Sequence, residues 1–333
     1  MEEFMDIVEE EIPEEETSIV YAEGNNGFGQ LGSDDPTDTE FILYQNRFSA
    51  PPEEVTAGNE FSVVRCSDLN VYTFGRNDRG QLGRQGPQAD PQPRRVTQAL
   101  HVKSGARHTI AIDLDPANNT FFILGFGDNS SRQLSDALPT NGFIPPNVIF
   151  REQNSTLVDA TAGGDRTGIL TNTQLIMRGE GQNEQRVPYI GGKKLAIGGR
   201  FAIVIGNQIE AFNPNNIAQR VVVVTPAGLN LAGSIISNLT IGIQNFAFTV
   251  TNAGFSASLI YNVSTRQWGQ MPSAIDLSFN QDTLDLVDPQ ARIYSIDFNY
   301  TTNTFTQNQG LNPYPGPVRS IAMGTNHRLV LVD

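Results

Sequence analysis

The sequence predicts an all-β protein built from repeated units of about fifty residues. Two turn segments, residues 24–32 and 75–83, both end in Gly-Gln-Leu-Gly, lie 51 residues apart, and each follow a short β-rich run. That period falls in the range of propeller blades and solenoid units. The 31 glycines and 19 prolines, with 17% charged residues, are typical of many short strands and tight turns rather than of helices.

A second repeated segment follows each turn in register. It covers residues 55–64 in the first copy and 102–111 in the second, with a glycine at the fourth position of both. The same pattern continues in weaker form at 158–170 and at 318–331. Two signatures that recur together indicate true internal repetition.

These segments resemble the repeats of the regulator of chromosome condensation family. In that family a strand precedes Gly-x-Asn-x-x-Gly-Gln-Leu-Gly, and a loop then leads to Val-x-x-Ile-x-x-Gly-x-x-His-Ser and an apolar strand. The resemblance is clear over about residues 19–170 and 318–332, and weak between them. It implies a seven-bladed β-propeller.

Six blades are expected along the chain, each read from its glycine-bearing strand. The expected strands are 55–57, 61–66, 71–74 and 94–96; 102–112, 121–124 and 147–150; 158–162, 167–171, 174–177 and 186–188; 195–197, 201–205, 208–212 and 220–224; 229–232, 239–243, 247–250 and 258–263; and 275–279, 283–287, 292–298 and 302–307.

The seventh blade is expected to be closed by N-terminal strands. Only two of its strands, 318–323 and 327–332, lie at the C-terminal end of the sequence, while 19–22 and 40–44 have the form of a third and a fourth strand. Such closure removes the unpaired sheet edges that invite aggregation.

Twelve repeat residues are expected to have structural roles. A side chain in place of the glycines after the inner strands would crowd the neighbouring backbone, and the glutamine amides can satisfy loop backbone groups. No helix follows the glycine-rich turns, which disfavours a phosphate-binding role. The twelve are Gly29, Gln30, Gly32, Gly58, Gly80, Gln81, Gly83, Gly105, His108, Gly163, Gly324 and His327.

No constellation typical of an enzyme is present in the sequence. The histidines are His101, His108 and His327, and two of them occupy the histidine position of the repeat. The single cysteine, Cys66, excludes an intramolecular disulfide and a cysteine-based zinc cluster. The sequence therefore predicts no catalytic residues, no cofactor and no metal site, and a protein that is not an enzyme.

An acidic tail, residues 1–17, precedes the propeller, which is expected to occupy residues 18–333. The tail holds nine of the fourteen net negative charges and no lysine or arginine. It lacks the basic start and apolar run of a secretory signal. It is either a solvated extension or a peptide that docks on a basic surface. The docking residues would be Phe4, Ile7, Val8, Glu9, Glu10 and Glu11.

Charge and hydropathy narrow the range of partners. A net charge of −14 with three lysines disfavours nucleic acid, and no apolar run reaches the length of a membrane span. The loops at 83–93, 127–145 and 262–271 are rich in Gln, Asn, Pro and Ser, which suits protein contacts. Exposed apolar contact residues are expected at Phe143, Ile144, Trp268 and Met271.

The sequence favours a non-enzymatic propeller that docks onto, or packs into, a larger protein assembly. Low lysine content and abundant Asn and Gln are shared with components of large assemblies, including virus particles. Because no secretory signal is recognised, the expected location is inside a cell or within a virus particle. The alternative, which the resemblance implies, is a guanine-nucleotide exchange factor for a Ran-like small GTPase. The inserted wedge and polar loops of such factors cannot be matched to this sequence residue by residue.

Overall fold

A computed structural model describes residues 18–152, 155–252, 255–281, 283–299, 302, 304–308, 310 and 312–333. The regular structure of this part of the chain consists of 28 strands and one short 3-10 turn, Gln45–Arg47. The strands form seven four-stranded antiparallel sheets, which surround a central channel as the blades of a propeller. The predicted all-β fold with seven blades is confirmed.

The strands are numbered in chain order, and in blades one to six this order runs from the innermost to the outermost strand of the blade. Blade seven takes β1 (Ile19–Gly24) and β2 (Glu40–Leu43). Blade one has β3 (Pro52–Ala57), β4 (Phe61–Cys66), β5 (Asn70–Arg76) and β6 (Ala89–Gln98); blade two has β7 (His101–Ser104), β8 (His108–Asp115), β9 (Thr120–Gly127) and β10 (Ile144–Arg151); blade three has β11 (Leu157–Gly163), β12 (Arg166–Thr171), β13 (Gln174–Gly179) and β14 (Gln182–Pro188).

The second half of the ring repeats this order. Blade four has β15 (Lys194–Ile197), β16 (Ala202–Ile205), β17 (Ile209–Asn213) and β18 (Asn216–Val223); blade five has β19 (Ile235–Ile241), β20 (Asn245–Asn252), β21 (Phe255–Asn262) and β22 (Gln267–Met271); blade six has β23 (Asp276–Asn280), β24 (Thr283–Val287), β25 (Ile293–Asn299) and β26 (Thr304–Gln307); blade seven ends with β27 (Val318–Met323) and β28 (His327–Val332).

The two ends of the chain close the ring in blade seven. The order of this sheet is β2-β1-β28-β27, and β1 pairs antiparallel with β28 from Ile19 opposite Val332 to Gly24 opposite His327. The closure expected from the sequence is therefore confirmed. The acidic tail lies outside the described residues.

The hydrophobic core lies between neighbouring blades rather than at the centre of the ring. Every residue of β4 and of β12, both second strands, is buried. Val20 and Leu331 of blade seven pack with Val64 and Phe74 of blade one, and equivalent apolar clusters join the other blades. Burial of these side chains supplies the main driving force for ring closure.

Strand pairing divides the ring into two faces. In each blade the first and the third strand end on the same side of the ring. In blade one, for example, β3 ends next to the start of β4, and Phe61 at the start of β4 pairs with Gly75 near the end of β5. We call this side, which carries the repeat glycines and the Gly-Gln-Leu-Gly turns, the loop face. The other side, where β1 begins and where β18 and β28 end, is the opposite face.

Blade five differs from the expected assignment by one strand. Residues 229–232 do not form a strand, because the Lys193 ammonium donates hydrogen bonds to the carbonyls of Leu231, Ala232 and Ser234 at 2.7, 3.0 and 2.8 Å. The inner strand is instead β19, and the expected loop at 262–271 contains the outer strand β22. The loops expected at 83–93 and 127–145 end early, since β6 begins at Ala89 and β10 at Ile144.

Candidate functional site

The connection between the third and fourth strands varies in length around the ring. It is long in blades seven, one and two, where it covers residues 25–39, 77–88 and 128–143, and it has two residues in blades three and four. Because these three blades are neighbours, their long loops lie side by side on one part of the loop face. We call these three loops the loop crest.

An asparagine near the start of each crest loop holds it in place. Its side-chain oxygen accepts the N–H of the leucine five residues later, at 2.9 Å for Asn26, 3.2 Å for Asn77 and 2.9 Å for Asn129. Its side-chain nitrogen donates to the carbonyl of Ser33, Arg84 or Ser135 at 3.0 to 3.2 Å. Sequence reasoning missed these asparagines, although each occupies the asparagine position of the family pattern.

The predicted glutamines also hold the turns. The side-chain oxygen of Gln30 accepts the N–H of Phe28 at 2.9 Å, and that of Gln81 accepts the N–H of Arg79 at 2.8 Å. Gln133 makes the same bond to the N–H of Ser131 at 2.9 Å, although Arg132 replaces a glycine there and adopts a φ of +58°. The same asparagine and glutamine bonds therefore form in this turn without a glycine at position 132.

Contacts between blades hold the first crest loop against the strands of blade one. A Cβ built on Gly29, whose φ is +78°, would lie 2.5 Å from the side chain of Pro91. The Gln92 amide donates to the Asp34 carboxylate at 3.0 Å, and the Arg76 guanidinium lies 4.7 Å from the centre of the Phe28 ring. The first crest loop is therefore packed against blade one.

Two arginines organise the charges beneath the crest. Arg76 binds Asp78 through two hydrogen bonds of 2.9 and 2.6 Å and Glu60 through one of 2.6 Å. Partial burial opposes ionisation of Asp78, but hydrogen bonds from Arg76 and Gln81 lower the pKa of its carboxyl below the usual value. Arg107 lies 3.2 Å from Asp128 and 3.0 Å from Asp165. The pairs of Arg76 lie within blade one, and the pair of Arg107 with Asp165 connects blades two and three.

A shallow pocket of about 330 Å³ lies between the second and third crest loops. Its lining includes Arg79, Gln85, Ser130, Thr140 and Phe143, and Phe143 is half-buried against Gly80. Most of the side chains that the crest exposes are polar or acidic, among them Asp34, Asp35 and Asp136. The crest therefore presents hydrogen-bonding groups around a small recess.

The central channel has a volume of about 950 Å³. Carboxylates of its inner strands accept backbone N–H groups from the next blade: Asp159 from Leu195 at 2.8 Å, and Asp276 from Ile321 at 2.8 Å. Glu54 does the same for Val102 at 3.3 Å. Burial opposes its ionisation, but His101, Lys103 and Arg65 lower the pKa of Glu54 to about 2. These acids satisfy strand edges that would otherwise be unpaired.

The repeat glycines lie where the inner strands meet the loop face. A Cβ on Gly58 would lie 2.6 Å from the Gly105 carbonyl oxygen, one on Gly105 2.8 Å from that of Gly164, and one on Gly324 2.6 Å from that of Gly58. A Cβ on Gly163 would lie 1.8 Å from the carbonyl oxygen of Ile197. Each position therefore excludes a side chain because the backbone of the next blade occupies the space.

The repeat histidines bridge neighbouring blades. His327 Nε2 lies 2.9 Å from Ser62 Oγ, and His108 Nε2 lies 3.0 Å from Thr167 Oγ1. Burial lowers the pKa of both imidazoles to about 4. Burial also raises the pKa of the Cys66 thiol to about 12, so this cysteine is protonated at neutral pH.

The expected apolar docking residues do not form one exposed surface. Phe143 and Trp268 are half-buried, but Ile144 is 4% and Met271 6% exposed. The expectation that these last two are exposed is wrong, because Ile144 begins β10 and Met271 ends β22, and both pack into the core. Phe4, Ile7, Val8, Glu9, Glu10 and Glu11 lie outside the described residues.

Among the described residues, no group of three or more His, Cys, Asp and Glu side chains is placed to hold a metal ion. No helix in the same part of the chain is long and apolar enough to cross a membrane.

Known proteins share both the repeat and the ring. The model of the regulator of chromosome condensation (RCC1) repeat matches residues 70–112. The mouse secretion-regulating guanine nucleotide exchange factor is 29% identical over 160 residues, which cover 45% of this chain and 34% of that protein. The human probable E3 ubiquitin-protein ligase HERC3 is 28% identical over 117 residues, which cover 33% of this chain and 11% of the ligase.

The ring itself is similar to that of Prp20p from Saccharomyces cerevisiae, a structure reported with its binding properties to Gsp1p and histones. The TM-score is 0.73 at 11% identity, with 95% of this chain and 91% of that chain covered. At this identity the likeness shows the fold alone. The two curated relatives are matched over about a third of their length or less.

These relatives correct one expectation. The lack of familiar catalytic motifs predicted that the protein is not an enzyme, but the proteins that share its repeats include a ubiquitin ligase and a nucleotide exchange factor, and both of these act as catalysts. That prediction is wrong: the proteins that share these repeats include ones named for catalytic activities, so the lack of a familiar catalytic motif in this sequence does not exclude catalysis. The chain is a seven-bladed β-propeller in which residues 70–112 match the regulator of chromosome condensation (RCC1) repeat.

Proposed function

We propose that this protein binds a protein partner through its loop crest. The observation that carries the proposal is that three long loops on neighbouring blades are each held by the same asparagine and glutamine hydrogen bonds. Loops that are ordered before binding lose less conformational entropy in the complex. A rigid scaffold that presents ordered loops on one side is a common design for recognition.

The chemistry of the crest specifies the kind of partner surface. The exposed acids Asp34, Asp35 and Asp136 and the polar rim of the pocket favour a polar surface with basic residues and hydrogen-bond donors. Large exposed apolar side chains are scarce on the described crest. We therefore expect a wet interface whose affinity depends on salt.

The partner is proposed to belong to a larger protein assembly. The chain has three lysines among 333 residues, and its exposed loops are rich in Asn, Gln, Pro and Ser. This composition supports a component that packs among other proteins, for which a virus particle is one setting. A partner recovered in large molar excess over the propeller would support this setting.

Affinity capture from the source lysate, followed by mass spectrometry, tests the proposal. The bait proteins are the full chain, a crest variant (Gln85→Arg, Thr140→Arg, Asn141→Arg) and an opposite-face control (Ala117→Arg, Asn207→Arg, Gln208→Arg), all at exposed positions. We expect the partner with the wild type and the control, and its loss with the crest variant. Equal recovery by all three baits would refute crest binding.

A second candidate function is guanine-nucleotide exchange on a small GTPase. It is favoured by the similarity to a named exchange factor over 45% of this chain. The test is the release rate of a fluorescent guanine nucleotide from a panel of small GTPases. We expect at least a tenfold acceleration by the wild type that the crest variant loses. No acceleration across the panel would reject this candidate and leave partner binding open.

A further inference from the structure

The sequence contains two Asn-Gly pairs, Asn26-Gly27 and Asn141-Gly142, and both lie in crest loops. An asparagine before a glycine is prone to spontaneous loss of its side-chain amide. Glycine has no Cβ that would keep its backbone nitrogen away from the side-chain carbon of the asparagine. The two pairs share this chemistry, so any difference in their reactivity must come from their surroundings in the structure.

The first pair is held by hydrogen bonds at both of the groups that would react. Asn26 is 1% exposed, and its side-chain nitrogen donates to the carbonyls of Ser33 and Asp35 at 3.0 and 2.6 Å. The N–H of Gly27 donates to the side-chain oxygen of Asn25 at 2.9 Å. Reaction at Asn26 therefore requires these bonds to break first, through local opening of the first crest loop.

The second pair is open to solvent. Asn141 and Gly142 are exposed and lie in a bend just before β10. Among the described residues, no hydrogen bond holds the Asn141 side chain or the N–H of Gly142. Gly142 has a φ of +83°, and nothing lies within 4 Å of the position of a Cβ there. The Gly142 nitrogen can therefore approach the side-chain carbon of Asn141 without the loss of ordered contacts.

We propose that Asn141 is a site of spontaneous deamidation in the folded protein. The Gly142 nitrogen attacks Cγ of Asn141, and the new N–Cγ bond closes a succinimide ring. The Cγ–Nδ2 bond breaks, and the side-chain nitrogen leaves as ammonia with the proton of the Gly142 N–H. Water then opens the ring at either carbonyl, which gives aspartate or isoaspartate. The whole reaction consumes one water, releases one ammonia and needs no oxidant or cofactor.

The product would change the charge of the pocket between the second and third crest loops, which Asn141 lines. The charged residues of this lining are Asp78, Asp128, Arg79 and Arg84, so its formal charges cancel. A carboxylate at position 141 adds one negative charge, and isoaspartate also lengthens the main chain of the loop. The effect of this change on partner binding rests on the proposed function, whereas the reaction itself does not.

Peptide mass spectrometry of the folded full-length protein, incubated at neutral pH well below its melting temperature, tests the proposal. We expect Asn141 to deamidate at least tenfold faster than Asn26, which corresponds to about 1.4 kcal/mol in activation free energy. Isoelectric focusing should show an acidic form that accumulates with time in the wild type. The matched control is Asn141→Gln, whose longer side chain closes a ring far more slowly, and it should not accumulate this form.

Urea separates the effect of structure from that of sequence. Both asparagines precede glycine, so in the unfolded chain they should react at similar rates. Equal rates at Asn26 and Asn141 in the folded protein would overturn the proposal, as would an Asn141 that stays intact in the folded protein. An acidic form that accumulates equally in Asn141→Gln would assign the change of charge to another residue and would also overturn it.

The products distinguish the proposed route from direct hydrolysis. Opening of a succinimide gives both aspartate and isoaspartate, whereas direct hydrolysis of the side-chain amide gives aspartate alone. Fragmentation spectra that separate the two products should therefore show isoaspartate at position 141. Its absence from the deamidated peptide would contradict ring closure by the Gly142 nitrogen.

Discussion

His327 Nε2 lies 2.9 Å from Ser62 Oγ, although 265 positions separate the two residues in the sequence. The bond joins β28 of blade seven to β4 of blade one, across the place where the ring closes. The His108 ring makes the equivalent contact with Thr167, between blades two and three. The repeat histidine therefore serves as a bridge from one blade to the next.

Replacing His327 with alanine should destabilise the ring. The ring of His327 is buried against Gly324. Its loss would leave a cavity and remove one of the two hydrogen bonds of the Ser62 hydroxyl, which would keep its bond to the carbonyl of Gln30, at a cost of about 2–4 kcal/mol. Urea denaturation measures this change in the free energy of unfolding. His101→Ala, at an exposed position, is the control and should cost about 0.5 kcal/mol or less. Equal effects of the two substitutions would contradict the bridging role.

Lowering the pH should reduce the free energy of unfolding through the same histidine, His327. Burial lowers the pKa of His327 from 6.5 to about 4 in the folded protein. Between these values the unfolded chain takes up a proton that the folded chain does not, so the free energy of unfolding falls as pH falls from about 6.5 to about 4. Phenylalanine occupies the equivalent position at Phe61, so His327→Phe should show a shallower decline over this window. If the free energy of unfolding fell equally with pH in the wild type and in His327→Phe, His327 would not be the residue responsible for the decline.

The repeat glycines that face the backbone of the next blade should not tolerate a side chain. In Gly58→Ala the new Cβ would lie 2.6 Å from the Gly105 carbonyl and 2.0 Å from the Phe61 ring, so we expect a loss of about 2–3 kcal/mol. Gly233→Ala is the matched control, since nothing lies within 4 Å of its Cβ position. Denaturation midpoints compare the two, and a near-neutral Gly58→Ala would show that the blades can move apart.

Truncation should separate the roles of the two N-terminal segments. A chain that starts at residue 46 lacks β1 and β2 and leaves β28 with an open edge, so its thermal unfolding should lose cooperativity or it should aggregate. A chain that starts at residue 18 retains all 28 described strands and should keep a closely similar melting temperature. Similar melting of both truncated chains would contradict closure by the N-terminal strands.

Much of the ring could be predicted from the sequence where the repeat survives. The glycine at position 58 and the histidine at 108 mark the ends of buried strands, and the half-blade at the C-terminus requires partners such as β1. Blade five could not be assigned correctly, because the segment at 229–232 is apolar like a strand. Its carbonyls instead accept hydrogen bonds from Lys193, a residue 38 positions or more away in the sequence.

Less of the candidate site than of the fold could be predicted from the sequence. Asn26, Asn77 and Asn129 hold the crest loops, but a single sequence does not show that their side chains turn inward. Ile144 and Met271 are apolar residues in loop-like segments, and burial within β10 and β22 depends on strand pairing that local sequence does not reveal. The contiguity of the three long loops follows only from the order of blades around the ring.

The most direct test of crest binding is the dissociation constant of the captured partner for three purified full-length proteins. These are the wild type, the crest variant at Gln85, Thr140 and Asn141, and the opposite-face control at Ala117, Asn207 and Gln208. We expect the crest variant to bind at least tenfold more weakly, equal to about 1.4 kcal/mol, and the control to bind as the wild type does. Unchanged affinity of the crest variant, with weakened binding by the control, would place the partner on the opposite face and contradict the account.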